Sequence, residues 1–515
     1  MSPGWVLLVS LSYAACLFAV AWLGDRHRLY AQRPWLRPAI YSLALAVYCS
    51  SWTFYGAVGS AVRHGIGYLP IYLGPFLLLL FGWRILERLA LISQSQSTVS
   101  ISDFIASRYG RSQYLAALVA VIALLAVIPY LALQYKAVAI SVAVLGGPDI
   151  DAQRYGDPAF YVAALMALFA VLFGTRQIDA TEHRPGLMLA VALESLVKLV
   201  ALVVVGIFAI DWFSGSELNV VAATHALLDS TPPVGMVAQT LLAFTALLCL
   251  PRQFHVAVVE CVNVADIRRA RWLFGGYLVI ISVMVLPIAS AGVALFGSNG
   301  PIAPDSFVLA LPLSLNNETI ALIAYLGGFS AATGMVVVSS VALATMVSND
   351  LVMPLLLRRG WAVKRDGSVA WLVLWIRRAA IVVLAALAYG YYRVSGSETA
   401  LASFGLMSFA AVAQFAPALI GGLYWRGASR RGVEAGLLAG FATWCYTLLL
   451  PSFTNAGWLD GGWLARGAAG RGLAAPASAL RPGWLGPAHA WHVLVLAAER
   501  GHPAHRVGAL AAGPG

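Results

Sequence analysis

Long apolar stretches alternate with short polar ones along most of this chain. Twelve of them contain roughly 20 or more predominantly apolar residues, the length that an α-helix needs to cross a bilayer. They cover residues 4–24, 38–62, 67–91, 113–146, 158–174, 186–212, 235–258, 271–297, 319–347, 370–392, 398–424 and 431–452. The pattern predicts an all-α, polytopic membrane protein with about twelve transmembrane helices.

Composition supports this class. Hydrophobic residues make up 60% of the 515-residue chain and charged residues only 11%, whereas a soluble domain carries about 25% charged residues. The first stretch has no basic segment before it and is long enough to span, so we expect a helix there and not a cleaved signal peptide.

Basic residues are distributed unevenly among the polar loops. Loops after odd-numbered stretches, together with the adjoining ends of the stretches beside them, carry 22 of them, and loops after even-numbered stretches up to the tenth carry three, Arg63, Arg154 and Arg393. By the positive-inside rule this predicts an N-terminus outside and a multi-pass protein of the inner (plasma) membrane. The net charge of +11 is then a loop property, and we expect no nucleic-acid partner.

The five cysteines are scattered in or beside apolar runs without paired spacing. This pattern predicts neither a disulfide framework nor a metal site.

The second stretch is unusually polar at its centre, where we place solute-binding candidates: Cys49, Ser50, Ser51, Trp52 and Tyr55. Small polar residues and glycines at mid-membrane depth indicate backbone that opens locally to bind something. The alternative is that they only allow neighbouring helices to pack closely.

Polar residues in three other apolar stretches are further candidates. Gln134, Tyr135 and Lys136 lie in the fourth stretch, where Lys136 either faces a cavity or reaches the membrane surface. Arg252, Gln253 and His255 follow Pro251 in the seventh. Arg252 is suited to a solute carboxylate or to a buried acid such as Glu194, and His255 either packs or carries protons. In the sixth stretch, the spacing of Glu194 and Lys198 predicts a local ion pair.

Several motifs together resemble one transporter family. They are CSSWTFYGAVGSAVRHG at 49–65, ISDFIASRYGR at 101–111, LPRQFHVAVVECVNVADIRRARWLF at 250–274 and GGFSAATGMVVVSSVALATMVSND at 327–350. They resemble segments of the solute:sodium symporter family in its proline permease-like branch. More narrowly, residues 1–455 resemble the membrane domain of CbrA-type sensor histidine kinases.

The resemblance implies a LeuT-type fold with two inverted five-helix repeats plus flanking helices. Its core would be helices 2–11, about 38–424, with helices 2 and 7 broken around a midplane site. The family's sodium ligands fall on Ala46 and Cys49 (backbone carbonyls), on Gly334 and Met335 with Thr333 adjacent, and on Thr181 and Glu182 for the acid. Because this set is poor in oxygen ligands, either Na⁺ or H⁺ is expected as the coupling ion, and no other cofactor.

The end of the chain departs from the pattern. Residues 456–515 are rich in Ala, Gly, Pro and Arg, which is typical of a disordered tail or of out-of-frame translation of a GC-rich gene. The second interpretation implies a truncated product.

We therefore expect a symporter-like module, derived from a nutrient-sensing kinase, that binds and imports a small polar solute by alternating access. By the resemblance the solute is an amino acid such as histidine. The alternative is a receptor without transport that signals to a cytoplasmic histidine kinase or response regulator. The sequence holds no phospho-acceptor or ATP-binding motif, so we do not expect enzyme activity from this chain.

Overall fold

The computed structural model describes residues 3–27, 33, 35–146, 157–174, 184–215, 224–225, 227–228, 235–359, 369–395, 400–455 and 458. Nearly all of them are helical, and no strand occurs among them. The α-helices, numbered in chain order, are α1 (Pro3–His27), α2 (Arg37–Leu45), α3 (Ala57–His64), α4 (Pro70–Phe81), α5 (Trp83–Gln96), α6 (Ile101–Arg108), α7 (Gln113–Gly146), α8 (Pro158–Gly174), α9 (Pro185–Gly215), α10 (Met236–Cys249), α11 (Pro251–Phe254), α12 (Asp266–Phe296), α13 (Phe307–Ser314), α14 (Glu318–Met346), α15 (Met353–Arg358), α16 (Val369–Val394), α17 (Leu401–Ala413), α18 (Phe415–Tyr424), α19 (Arg430–Trp444) and α20 (Leu450–Asn455).

The chain is an all-α, multi-pass membrane protein. Within the described ranges, eight helices are individually long and apolar enough to cross a bilayer, and ten if two bent pairs each count as one span. Each of the twelve predicted stretches overlaps a helix, but some of those helices are short or interrupted. Counted by helix length and composition alone, the described residues therefore contain fewer spans than the twelve that the sequence pattern predicts.

The second and seventh stretches are both broken near their centres. In residues 37–64, α2 continues as a 3₁₀ turn at Ala46–Tyr48, and Cys49 is extended with φ −75° and ψ 101°. A π-helix, Trp52–Gly56, then leads into α3. In residues 236–259, α10 ends at Cys249, and the next residue, Leu250, is extended with φ −63° and ψ 128°. Pro251 lacks the N–H that would continue the helix and disfavours helical geometry at Leu250, so the chain bends by 51°.

The core is formed by long helices that pack around these two breaks. Most of the apolar centres of α7 and α14 are buried inside the protein, whereas α1, α16 and α19 leave most of theirs on the outer surface. Helix α9 packs against α1, α2, α12 and α14 and so lies beside the first break. A side chain on α9 can therefore reach the opened backbone of residues 46–51.

The short helix predicted after Ser100 is present as α6. The Ser100 hydroxyl accepts a hydrogen bond from the backbone N–H of Asp103 at 3.1 Å, which is an N-cap. Gly110 follows the helix with φ +79°, a conformation that glycine adopts without strain. Residues 459–515, which include most of the predicted tail, lie outside the described residues.

Candidate functional site

The first break leaves the end of α2 and its 3₁₀ turn with carbonyl oxygens that no regular helix covers. The carbonyl end of a half-helix carries partial negative charge and attracts donors and cations. Two side chains from other helices supply donors. The Gln253 amide Nε2 donates to the Leu45 carbonyl at 3.2 Å.

The second donor is Lys198 on α9. Its Nζ donates to the carbonyl oxygens of Ala46, at 2.9 Å, and of Cys49, at 2.6 Å. The Lys198 residue is only 3% exposed. The structure thus places a buried ammonium group between the two carbonyls on which the family resemblance puts a sodium ion.

The predicted ion pair between Glu194 and Lys198 is wrong. No salt bridge joins these two described residues; the Glu194 Oε1 accepts a hydrogen bond from the Thr333 hydroxyl on α14 at 2.8 Å. The spacing puts both side chains on the same helix, but α9 lies between two partners, so Lys198 reaches the first break and Glu194 reaches α14.

The other ion-site candidates that the structure describes do not assemble a sodium site. Thr333 donates to Glu194, and Gly334 packs so closely that an added Cβ would overlap the Glu194 carboxylate. Met335 is fully buried and offers only sulfur, which a hard cation does not favour. Thr181 and Glu182 lie outside the described residues. In the described part of this set, the Ala46 and Cys49 carbonyls already bind an ammonium group, so these residues do not fit Na⁺.

Arg252 lies at the second break, directly after Pro251. The residue is 1% exposed, and its guanidinium carbon is 4.4 Å from the ring centroid of Tyr130 on α7. Among the described residues no hydrogen-bond acceptor reaches any of its three guanidinium nitrogens, and no acid forms a salt bridge with it. A cation–π contact offsets only part of the cost of burying this charge.

The polar residues of the first break meet α7 beside Arg252. The Ser50 hydroxyl is 2.9 Å from the Tyr130 hydroxyl, and the Ser51 N–H donates to the Gln134 Oε1 at 3.2 Å. The Ser51 hydroxyl has no hydrogen-bond partner among the described residues. The structure thus brings the break, Gln134 and Arg252 into one polar group around Tyr130.

Aromatic rings close one side of this group. The Trp52 ring lies 5.0 Å from that of Phe409 on α17 and 6.5 Å from that of Tyr130. Trp52 and Phe409 also line a cleft that extends past Tyr68. The two rings therefore separate this cleft from the buried polar group.

Four of the predicted solute-binding residues have other surroundings. Tyr55 lines a small gap with Ser141 and Asp305, and the Nζ of Lys136 lies 5.6 Å from the ring centroid of Phe404. The Nε2 of His255 faces the Glu260 carboxylate at 3.4 Å. The Tyr135 hydroxyl is buried without a hydrogen-bond partner among the described residues.

Asp305 forms a second charged cluster, in the short turn before α13. Its carboxylate forms a salt bridge with Arg63 at 3.0 Å and accepts a hydrogen bond from the backbone N–H of Leu401 at 3.2 Å. Burial raises the pKa of Asp305, and the neighbouring Arg63 cation partly opposes that shift. This cluster joins the end of α3 to the start of α17.

Sequence reasoning did not single out Tyr130, Phe409 or Asp305. Tyr130 follows Pro129 in an apolar run, and Phe409 is one apolar residue among many, so nothing local marks them. Asp305 is an acid in the loop between the eighth and ninth apolar stretches, which lacks basic residues, and this is the one local signal for it.

No family model matches the chain, and no curated protein matches it in sequence. A Na⁺-coupled sialic acid symporter, solved in a substrate-bound outward-open state, is similar in structure with a TM-score of 0.60 at 12% identity, covering 88% of this chain and 98% of that one. A manganese transporter of Eremococcus coleocola, solved with an aromatic bis-isothiourea compound, has a TM-score of 0.50 at 12% identity, covering 90% and 95%. At this identity the similarity shows the fold, which is LeuT-like.

Proposed function

We propose that this protein binds a small polar solute with a carboxylate group between its two broken helices and moves it across the membrane by alternating access. The proposed solute is an amino acid, histidine in particular. The resemblance of the sequence to proline permease-like symporters and to the membrane domain of CbrA-type sensor kinases favours this class. The two solved structures described above are of a Na⁺-coupled symporter and a manganese transporter, which supports transport as the activity.

One observation carries the proposal: the buried, unpartnered guanidinium of Arg252. Burying a charge without hydrogen bonds destabilises the folded protein. A role in binding explains why a charged residue is present at this position. Its fork of N–H donors matches a carboxylate in geometry and charge. The unpartnered Ser51 hydroxyl in the same polar group is suited to a second polar atom of the solute.

The aromatic pair gives this site an access route. A solute entering from the cleft beside Tyr68 meets Trp52 and Phe409 before it reaches Tyr130 and Arg252. Movement of those two rings would expose the polar group to the cleft. Closing them again would exclude water from the Arg252 contact and strengthen it.

Reconstitution tests the proposal. The full-length chain in liposomes is assayed for uptake and binding of each labelled L-amino acid, and histidine is compared with histamine, which lacks the carboxylate. We expect one or a few amino acids to accumulate, histamine to be ignored, and Trp52→Ala to abolish uptake. Trp5→Ala, on the outer surface of α1, is the matched control. Absence of both binding and uptake for all carboxylated solutes contradicts the proposal.

A receptor is the second candidate, and the Lys198 contact favours it. If the ammonium group remains on the Ala46 and Cys49 carbonyls, no sodium ion is available there to drive accumulation. Saturable binding with no flux in the same liposomes identifies this outcome. We propose that such a receptor signals to a cytoplasmic kinase, as in the resembling sensor proteins, and that residues 1–455 catalyse no phosphoryl transfer themselves.

A further inference from the structure

We propose that the Lys198 ammonium group is the resident cation of the first broken helix, and that the protein therefore works without sodium. The inference deepens the proposed function, because it assigns the cation of the same site to a side chain. Its thermal test below requires no solute and stands apart from the transport proposal.

The contacts of Lys198 indicate what its charge is used for. A buried ammonium normally pairs with an acid, and Glu194 is available one turn away on α9. The Glu194 carboxylate is instead bonded to Thr333, while the Lys198 Nζ bonds to the carbonyls of Ala46 and Cys49. The hydrogen bonds of the ammonium group therefore go to the opened backbone and not to a carboxylate.

Cation binding at the carbonyl end of a broken helix is a general property of such folds. The partial charge of the half-helix, and carbonyls that lack the N–H groups of a continuing helix, favour a positive charge between them. Lys198 meets this requirement, at 2.6 Å and 2.9 Å, from a helix more than 140 residues away in sequence. A sodium ion using the same two carbonyls would have to displace the ammonium group, because two cations cannot share the space.

A tethered cation has a different consequence from a diffusible one. Sodium leaves such a site when its concentration falls, and the broken helix loses its cation. The Lys198 side chain is covalently attached and cannot leave with the solute. We therefore expect binding, and any uptake, to be indifferent to sodium on either side of the membrane.

Thermal unfolding of the purified full-length protein tests this directly. Wild type, Lys198→Ala, Lys198→Met and Leu196→Ala are titrated with sodium chloride, ammonium chloride or choline chloride at constant ionic strength. We expect the wild-type Tm to be the same in all three salts. The Lys198→Ala variant leaves a space beside the carbonyls, so its Tm should fall by several degrees and be partly restored by sodium and ammonium but not by the larger choline.

The Lys198→Met variant distinguishes loss of the charge from loss of side-chain volume, and Leu196→Ala is the control. Lys198→Met fills the space with a neutral chain, so its Tm should fall without being restored by any salt. Leu196 lies on the outer surface of α9 and is 44% exposed; its replacement by Ala should leave the salt response as in wild type. In liposomes, any amino-acid uptake by wild type should be equal with sodium and with choline.

Some results overturn the proposal. A saturable, sodium-specific rise in the wild-type Tm, or sodium-dependent uptake by wild type, would do so. A folded Lys198→Ala protein whose Tm ignores both sodium and ammonium would do so as well. If that variant does not fold, the wild-type sodium titration decides alone. Absence of uptake for every solute contradicts transport but leaves the thermal result intact.

Discussion

The guanidinium of Arg252 lies 4.4 Å from the ring centroid of Tyr130, and both residues are almost fully buried. The Tyr130 hydroxyl in turn contacts Ser50 at 2.9 Å. One tyrosine of α7 therefore connects the two broken helices, and the site that we propose is organised around its ring.

Replacing Arg252 by Gln should strongly weaken binding of a carboxylated solute. Loss of one partner of a buried charge pair costs about 2–5 kcal/mol, or roughly 30-fold or more in affinity. Arg252→Lys keeps the charge but not the paired N–H groups, so an intermediate loss is expected. Equilibrium binding of the amino acid found in the uptake screen measures both. Arg268→Gln, at an exposed pair with Glu87, is the control and should bind as wild type.

The buried charge of Arg252 should destabilise the protein when no solute is bound. Arg252→Met removes a buried, unpartnered charge and keeps an unbranched apolar side chain, so the Tm of the solute-free protein should rise. Thermal unfolding with and without solute measures this: the wild type should gain Tm on adding solute, and the variant should not. A lower Tm for the solute-free variant would show that the guanidinium has a structural partner.

Close packing of α4 against α10 predicts a large effect at Gly74. A Cβ added there would lie 2.5 Å from the Phe244 backbone nitrogen and 2.5 Å from the Thr240 carbonyl oxygen, so Gly74→Ala should destabilise the protein by about 1–3 kcal/mol. Gly276 on α12 has no atom within 4 Å of an added Cβ. Gly276→Ala should therefore raise stability, by about 0.5–1 kcal/mol through its helix preference. Thermal unfolding of the two variants should shift in opposite directions, and equal shifts would refute the packing argument.

The Asp305 cluster should make stability depend on pH. Burial raises the pKa of Asp305, so the folded protein holds this proton more tightly than the unfolded chain does. Its contribution is fully present below the ordinary aspartate pKa, about 3.9, and is lost as pH rises through the higher folded value. The difference in Tm between wild type and Asp305→Asn should therefore grow in favour of wild type as the buffer is acidified.

A matched pair tests the location of this effect. Glu434 pairs with Arg430 at 2.7 Å on the exposed side of α19, where an ion pair adds little. Glu434→Gln should leave the Tm near the wild-type value across the same pH range. A similar pH dependence in the two variants would place its origin elsewhere in the protein.

Some features of this protein follow from neighbouring residues alone. The apolar stretches predict helices because a helix in lipid forms all of its backbone hydrogen bonds within its own segment. All twelve stretches overlap helices in the structure. Pro251 predicts the break that occurs at Leu250 because the ring removes a donor of the same helix. The Ser100 cap is similarly local, since it spans three residues.

The contents of the site were decided by contacts between distant segments. Spacing correctly placed Glu194 and Lys198 on one helix, but only the packing of α9 between α2 and α14 sent Lys198 to the carbonyls of Ala46 and Cys49. Tyr130 and Phe409 have no polar neighbours in sequence that mark them, and the fold brings both to Trp52. Local sequence determines where a backbone opens, whereas helix packing determines which side chain fills the opening, because that choice depends on groups up to hundreds of residues apart.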